Sequence, residues 1–106
     1  MVSLEDFKKF ELRTAVIQTV NVHPNADKLY VLGIKVGDIQ KTIVAGVRAF
    51  YREEELVGKT IVVINNLEPA VIRGVESQGM MLAASDGEGL SVVSPERPIR
   101  DGATVR

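Results

Sequence analysis

Five short apolar runs, rich in β-branched residues, restrict the fold of this chain more than any other feature. They cover residues 12–22, 29–36, 39–45, 60–64 and 80–84. Each has the length of a β-strand, and Gly, Pro and Asn dominate several of the gaps between them. Only Gly37 and Asp38 separate the second run from the third, which predicts a hairpin. The chain is therefore expected to be all-β.

The gap between the third and fourth runs, residues 46–59, is long enough for a crossover with a helix. Residues 48–56 contain good helix formers, and Gly58 with Lys59 is a plausible helix end. Three strands, a helical crossover and two further strands is the order of a five-stranded Greek-key barrel, the OB-fold. Strand order alone leaves a small sandwich open.

Both ends of the chain add elements to this barrel. Ser3 and Asp6 approximate a capping box and predict a short N-terminal helix. We expect a single domain over residues 1–106, with the barrel at about 10–84 and a C-terminal extension at about 85–106. The extension contains a short strand at 90–93 and then two prolines. It could cover its own barrel or dock onto a second chain, and because small homo-oligomers are mostly two-fold dimers, we predict a homodimer.

Composition excludes several classes of function. The chain has no Cys and one His, so neither a Cys-based nor a His-based metal site is expected, and no cofactor is predicted. Ser77 and His23 could belong to a catalytic triad, but no nucleophile elbow surrounds Ser77, so an enzyme is not expected. The acidic N-terminus is unlike a signal peptide and no run is long enough to span a membrane, which makes the cytoplasm the expected location. A net charge of -1 argues against nonspecific coating of nucleic acid.

The connection between the last two runs, residues 65–80, is more polar than a turn requires. It supplies Asn65 and Asn66, a Pro, Arg73 beside a Gly, and then Ser77-Gln78-Gly79-Met80. Amides, hydroxyls and a guanidinium can bind base edges and phosphates. This composition favours a recognition surface over a catalytic site.

These segments together resemble a known family. The segments are Phe10-Glu11-Leu12-Arg13-Thr14-Ala15-Val16-Ile17, His23-Pro24-Asn25-Ala26-Asp27-Lys28-Leu29, Thr42-Ile43-Val44-Ala45-Gly46, Leu56-Val57-Gly58-Lys59 and residues 65–80. In this order they are similar to the tRNA-binding domain at the C-terminus of many methionyl-tRNA synthetases, also found in stand-alone tRNA-binding proteins and synthetase-associated cytokine-like proteins. The resemblance implies an OB-fold that binds the outside of tRNA by shape, and a homodimer formed through the C-terminal extension.

The resemblance and the residue chemistry together predict a tRNA-binding set. It consists of Lys28, Asn65, Asn66, Arg73, Ser77, Gln78 and Met80. Lys28 matches the cation ending the His-Pro-x-Ala-Asp loop, and Ser77, Gly79 and Met80 match the Ser-x-Gly-Met signature. The sequence departs from the family around Pro69, where Glu68, Ala70 and Val71 stand in place of frequent Lys and Arg.

Each predicted contact has a structural alternative. Lys28 could be a solvated side chain, and Arg73 could form a surface salt bridge with Glu76 or Glu68. The remaining members could bond within turns, end strands or pack in the core. Tyr30, Phe50 and Tyr51 could stack on bases, but their positions in or beside apolar runs favour burial in the core. Met80 and Met81 should point to opposite faces of a strand, with one of the pair in the core.

The function predicted from the sequence is a noncatalytic, structure-specific tRNA-binding module. It would act as a free homodimer or with a methionyl-tRNA synthetase, and would recruit tRNA to a catalytic partner. The alternative is a chaperone-like or protein-interaction dimer on the same fold, which the acidic balance and the missing cations near Pro69 fit better.

Overall fold

A mostly β architecture is seen in the computed structural model, which describes residues 1–106. The helices are α1 (Leu4–Phe7) and α2 (Glu53–Leu56). The strands are β1 (Leu12–Val22), β2 (Tyr30–Val36), β3 (Ile39–Ala45), β4 (Thr60–Ile64), β5 (Ala70–Ile72), β6 (Val75–Ser77), β7 (Met80–Met81), β8 (Ala83–Ser85), β9 (Leu90–Val92) and β10 (Thr104–Val105). The main sheet has the order β3-β2-β1-β4-β7 and curls into an OB-like barrel, as predicted.

The long strand β1 lets a single sheet curl. Its first half pairs with β4 and its second half with β2, and the register shifts between Ile17 and Thr19. Such a bulge bends a strand and increases its twist. At the bend, a Cβ on Gly33 would collide with the Thr19 hydroxyl of the neighbouring strand, so glycine leaves room for this rotamer of Thr19.

Alternating side chains of β1 to β4 fill the barrel. Ile17, Leu32, Ile43 and Ile61 are almost completely buried, and burying each such side chain stabilises the fold by about 1.5–3 kcal/mol. Leu56 joins this core from α2. The crossover helix is shorter than the predicted span 48–56, because residues 47–51 form a separate turn in which two backbone N–H groups bond the Val47 carbonyl.

The fifth predicted strand is divided. Residues 80–84 form β7 and β8 with a break at Leu82, whose N–H donates to the Val62 carbonyl while its own carbonyl accepts from Val93. The chain therefore leaves the main sheet and makes a hairpin with β9. Through Val92, which is buried in the core, the predicted extension contributes to the barrel itself.

The end of the extension, residues 100–105, is bound to its own barrel through Thr14. The Thr14 hydroxyl donates to the Arg100 carbonyl (2.8 Å) and accepts from Ala103 N–H (2.9 Å). Its backbone accepts from Gly102 N–H (2.7 Å) and donates to the Ala103 carbonyl (2.9 Å). Beyond this point β10 pairs with the start of β1. The extension was expected either to cover its own barrel or to dock onto a second chain, and residues 100–105 cover their own barrel.

The N-terminal helix begins as predicted, with the Ser3 hydroxyl accepting from Asp6 N–H (3.1 Å). No residue of α1 is buried, and Leu4 and Phe7 are exposed together with Phe10. No helix in the structure has the length and apolar character needed to cross a membrane.

Glu11 connects the chain entering β1 to the end of β4. Its carboxylate accepts from the Arg13 guanidinium (2.9 Å) and from Asn65 Nδ2 (3.1 Å). These two hydrogen bonds, that of Arg13 being the stronger influence, lower the pKa of Glu11 from its ordinary value.

We expect this shift to make part of the stability dependent on pH. A carboxyl group whose pKa is lowered by folding stabilises the native state above its unfolded pKa, and the contribution disappears as the pH falls through the folded pKa. The difference in melting temperature between the parent and Glu11→Gln should thus shrink as the pH falls from 6 to below about 4.3. The pKa of Asp86 is also lowered, by hydrogen bonds from Glu88 and Gly89 N–H, so only the parent-to-variant difference isolates Glu11. A difference that stays constant over this range would contradict the assignment.

Candidate nucleic-acid interface

Residues 65–80 contain a β-hairpin that the sequence did not predict. Strands β5 and β6 pair from Ala70↔Ser77 to Ile72↔Val75, and Arg73 and Gly74 form the two-residue turn. Both turn residues have positive φ, 53° at Arg73 and 91° at Gly74. This is the usual requirement of a tight hairpin turn, but Asn or Gly normally fills the first position. Arg73 is the one non-glycine residue with positive φ, and such a conformation costs about 1–2 kcal/mol.

The hairpin tip is fixed to the loop between β1 and β2. Asn25 N–H donates to His23 Nδ1 (2.9 Å), so the other ring nitrogen carries the proton and donates to the Ile72 carbonyl (2.9 Å). Arg73 Nη2 donates to the Asn25 carbonyl (3.1 Å), and Asn25 Nδ2 donates back to the Arg73 carbonyl (3.3 Å). The single His is therefore buried in a structural role, and its two hydrogen bonds join the β1–β2 loop to the hairpin. Arg73 makes neither of the two predicted salt bridges.

A third cation, Arg48, lies beside this loop, and the sequence did not indicate it. Arg48 Nη1 is 3.5 Å from the Ala26 carbonyl, next in the chain to the carbonyl that Arg73 binds. Lys28 is exposed in the same loop. The sequence places Arg48 in a stretch of helix formers, and only the turn at residues 47–51 directs it to the loop. We call Lys28, Arg48 and Arg73 the cation cluster.

No acidic side chain forms an ion pair with the cation cluster, although Asp27 lies in the same loop and Glu76 on the hairpin. The ion pairs of the molecule involve other cations, namely Lys9, Arg13, Lys35, Arg52 and Arg97. The guanidinium groups of the cluster bind backbone carbonyls instead. The exposed residues Glu68, Ala70 and Val71 add no cation on the hairpin side. The cations of this surface therefore lie at the tip of the hairpin and at the loop that holds it.

Ser77 and Gln78 close the barrel along the free edge of β3. The Ser77 hydroxyl accepts from Val44 N–H (2.9 Å), and Gln78 Oε1 accepts from Thr42 N–H (2.9 Å). Gln78 N–H donates back to the Thr42 carbonyl (2.8 Å). These side-chain oxygens accept hydrogen bonds that the backbone carbonyls of a neighbouring strand would otherwise accept. Ser77 is only 4% exposed, so its hydroxyl is committed to this edge.

We expect Ser77→Ala to lower the free energy of unfolding by about 1–3 kcal/mol, because Val44 N–H loses its acceptor. Affinity for RNA should stay unchanged well below the melting temperature. Ser91→Ala, at an exposed position of β9, is the matched control and should change neither property. Weaker RNA binding at unchanged stability would instead place Ser77 among the contacts.

The two asparagines hold the N-terminal segment. Asn66 Oδ1 accepts from Glu11 N–H (2.8 Å), and its Nδ2 donates to the Lys9 carbonyl (2.8 Å). Asn65 bonds the Glu11 carboxylate, and its own carbonyl accepts from Lys41 Nζ (2.8 Å). These hydrogen bonds agree with the alternative that the two asparagines end a strand, although Asn66 remains exposed.

Met80 and Met81 point in opposite directions, as predicted. Met81 is 8% exposed and lies in the core, whereas Met80 is 51% exposed. Among the aromatic residues, Tyr30 is buried and Tyr51 packs against the core, but Phe50 is exposed. The structure thus separates Lys28 and Arg73, which have groups free for a ligand, from Asn65 and Ser77, whose bonds are internal.

No group of three or more His, Asp or Glu side chains lies close enough together to hold a metal ion. The chemistry available at this surface is hydrogen bonding, ionic attraction and apolar contact.

Comparison with known proteins identifies the family of the chain. The model of the tRNA binding domain family matches residues 12–104. A curated relative, methionine–tRNA ligase of Nanoarchaeum equitans, is 47% identical over 106 residues, which are 100% of this chain and 14% of that protein. The chain thus spans about one seventh of the length of the curated relatives it matches.

Two solved structures share the whole fold. The MetRS related protein from Pyrococcus horikoshii superposes with a TM-score of 0.93 at 29% identity, covering 100% of this chain and 98% of that one. The CsaA chaperone protein from Picrophilus torridus superposes with a TM-score of 0.92 at 29% identity, covering 100% of both chains.

Proposed function

The chain belongs to the tRNA-binding domain family, and from this premise we propose that it is a noncatalytic module that binds folded tRNA by shape. The observation that carries the proposal is the cation cluster, three cations without ion pairs at one loop and hairpin of a family domain that covers residues 12–104. Phosphate contacts supply most of the affinity in such complexes and position the partner.

The overall charge explains why shape matters. With a net charge of -1, long-range attraction to RNA is weak, and only a surface matching the spacing of several phosphates can use the cluster. Folded tRNA presents fixed phosphates, whereas an unstructured chain must be ordered at an entropic cost. The module would then raise the local concentration of tRNA near a synthetase, in the cytoplasm.

A salt titration tests this function. The affinity for folded tRNA is compared with that for an unstructured RNA of equal length, from low to moderate salt. We expect preference for the folded form at every salt concentration and a log–log slope of roughly -2 to -3, the value for three phosphate contacts. Equal affinity for both RNAs at low salt would exclude structure-specific binding.

We further propose that the chain acts as a homodimer or as a part of a methionyl-tRNA synthetase. Large apolar side chains are exposed at the N-terminus, including Leu4, Phe7 and Phe10, and on the C-terminal extension, including Val93 and Ile99. Leu4, Phe7 and Phe10 lie within seven residues of chain, and exposed apolar side chains that group together mark interfaces. Deleting the extension is a poor test, since it removes Val92 from the core. Phe7→Glu and Ile99→Glu test the dimer without this damage, and light scattering should report the mass of a monomer for each. Ile39→Glu, at an exposed position beside the β2–β3 turn, is the control and should keep the mass of the parent.

The second candidate is a chaperone-like dimer, favoured by the likeness to the CsaA chaperone protein from Picrophilus torridus. The same exposed apolar residues would then bind unfolded chains. Protection of an aggregating client at salt concentrations that abolish tRNA binding would support this candidate.

A further inference from the structure

An apolar pocket opens at the surface over the core residues Ala45, Val47 and Met81, and Val47 is followed in the chain by Arg48 of the cation cluster. It measures about 270 Å³, and seven of its eight lining residues are hydrophobic. Its walls are formed by Val44, Val47, Met80 and Leu90, with Ala83 at its exposed rim. The volume falls just below the range of roughly 300–1,000 Å³ typical of pockets for drug-sized ligands. One flat ring system or one apolar side chain fits it.

The pocket and the cluster share a segment of chain. Gly46 and Val47 line the pocket, and the next residue is Arg48, which reaches the Ala26 carbonyl. Gly46 also packs against Leu29, where the loop carrying Lys28 enters β2; a Cβ at Gly46 would lie 3.7 Å from Leu29 Cδ2. The apolar pocket thus lies beside a cation, Arg48, that forms no ion pair. This combination is complementary to a nucleotide, which has a flat base and an anionic phosphate.

We propose that this pocket holds one unpaired base of the bound RNA while Arg48 and its neighbours in the cluster bind the adjacent phosphates. The inference rests on the proposed function and names the part of the RNA that the site takes. Met80 supplies a soft, polarizable surface against the base, a role usually played by an aromatic ring in RNA-binding domains. Contact with a base would account for the exposure of the Met80 thioether at the surface. The pocket walls carry no charged side chain, so base identity is read weakly.

Methyl NMR of methionine provides a direct test. The protein contains three methionines, so ¹³C-methyl labelling gives few signals, and Met80→Ala assigns the one of interest. Each nucleoside 5′-monophosphate, and folded tRNA, should shift the Met80 methyl signal through the ring current of the base. Ribose 5-phosphate has the phosphate but no base and should leave this signal in place. The Met1 methyl serves as the internal reference.

Two variants test the pocket in binding. Ala83→Leu fills it from the exposed rim, and Met80→Ala removes the contact surface, so failure of one to fold leaves the other. Each should weaken binding of folded tRNA by roughly tenfold, as expected for loss of one base contact, with an unchanged salt slope. Ile39→Ala removes an exposed apolar side chain at the far end of the β2–β3 hairpin from Ala45 and should bind like the parent.

The outcomes separate the pocket from the function. If the parent binds folded tRNA but Met80 shifts equally with ribose 5-phosphate, or if both pocket variants bind like the parent, the pocket proposal is wrong and the function stands. Loss of binding to an apolar peptide in the variants, with tRNA binding intact, would assign the pocket to a protein partner and also overturn the proposal. Absence of any tRNA binding by the parent would overturn the function itself.

Discussion

Replacing Lys28, Arg48 and Arg73 together with Gln should lower the affinity for folded tRNA by about 1000-fold or more in low salt. A hydrogen bond to a charged group contributes about 1.5–3 kcal/mol, and a loss of 1.4 kcal/mol is about tenfold in affinity. The salt slope should fall by roughly 2 to 3 units as the phosphate contacts disappear. Filter binding or fluorescence anisotropy over a salt series measures both quantities.

The matched control removes the same charge elsewhere. Lys59, Arg97 and Arg106 lie around the C-terminal extension, and their joint replacement with Gln changes the net charge equally. We expect at most a few-fold loss from this control, because long-range attraction alone is screened beyond about 10 Å in 0.1 M salt. Similar losses in the two triple variants would mean that net charge, and not the cluster, determines binding. Single variants then rank the residues, and Arg48→Gln should weaken binding at least as much as Lys28→Gln.

Gly102→Ala should lower the free energy of unfolding by about 3–5 kcal/mol. The added Cβ would lie 2.8 Å from the backbone N and Cα of Gly37, and φ at this position is 78°. An L-residue in this region costs about 1–2 kcal/mol, and the clash with rigid backbone displaces the chain that bonds Thr14. Each hydrogen bond lost there adds about 0.5–1.5 kcal/mol. Thermal denaturation should show a melting temperature lower by about 4–8 °C for each kcal/mol.

Gly58→Ala separates the two causes. Its φ of 85° imposes the same backbone strain, but nothing lies within 4 Å of the added Cβ. This variant should lose only about 1–2 kcal/mol. If Gly102→Ala is no less stable than Gly58→Ala, residues 100–103 are not held against the β2–β3 turn as the structure shows. The comparison also tests whether the extension is part of the barrel or an independent arm.

Strands were the most predictable part of the fold. The branched residues of β1, β3 and β4 form strands with the predicted limits, and the start of β2 differs by one residue, since a half-buried pleated sheet selects such side chains locally. The hairpin β5–β6 was missed because its strands have three residues each and its turn is Arg73-Gly74 in place of Asn-Gly. The break at Leu82 was missed because it depends on backbone groups of β4 and of residue 93, which are distant in sequence.

The candidate site was predicted less completely than the fold. Lys28 lies in the loop that Arg73 binds through the Asn25 carbonyl, and their roles stay a prediction, whereas nothing local distinguishes Arg48 from a helix former. The hydroxyl of Ser77 and the amide of Asn66 have the right chemistry for RNA, and the structure shows them bonded to the chain. Residue type indicates what a group can bind, whereas only the fold shows whether that capacity is already used.

The sequence by itself determined the all-β character, the strand order and the family, because periodicity and turn residues act over a few positions and motifs in register identify relatives. The tertiary structure decided which polar groups are already bonded within the chain. Burial of Ser77, the hydrogen bonds of His23 and the grouping of three cations all depend on contacts between residues 22 to 49 positions apart. Such contacts follow from how the barrel closes, and no local pattern in the chain encodes them.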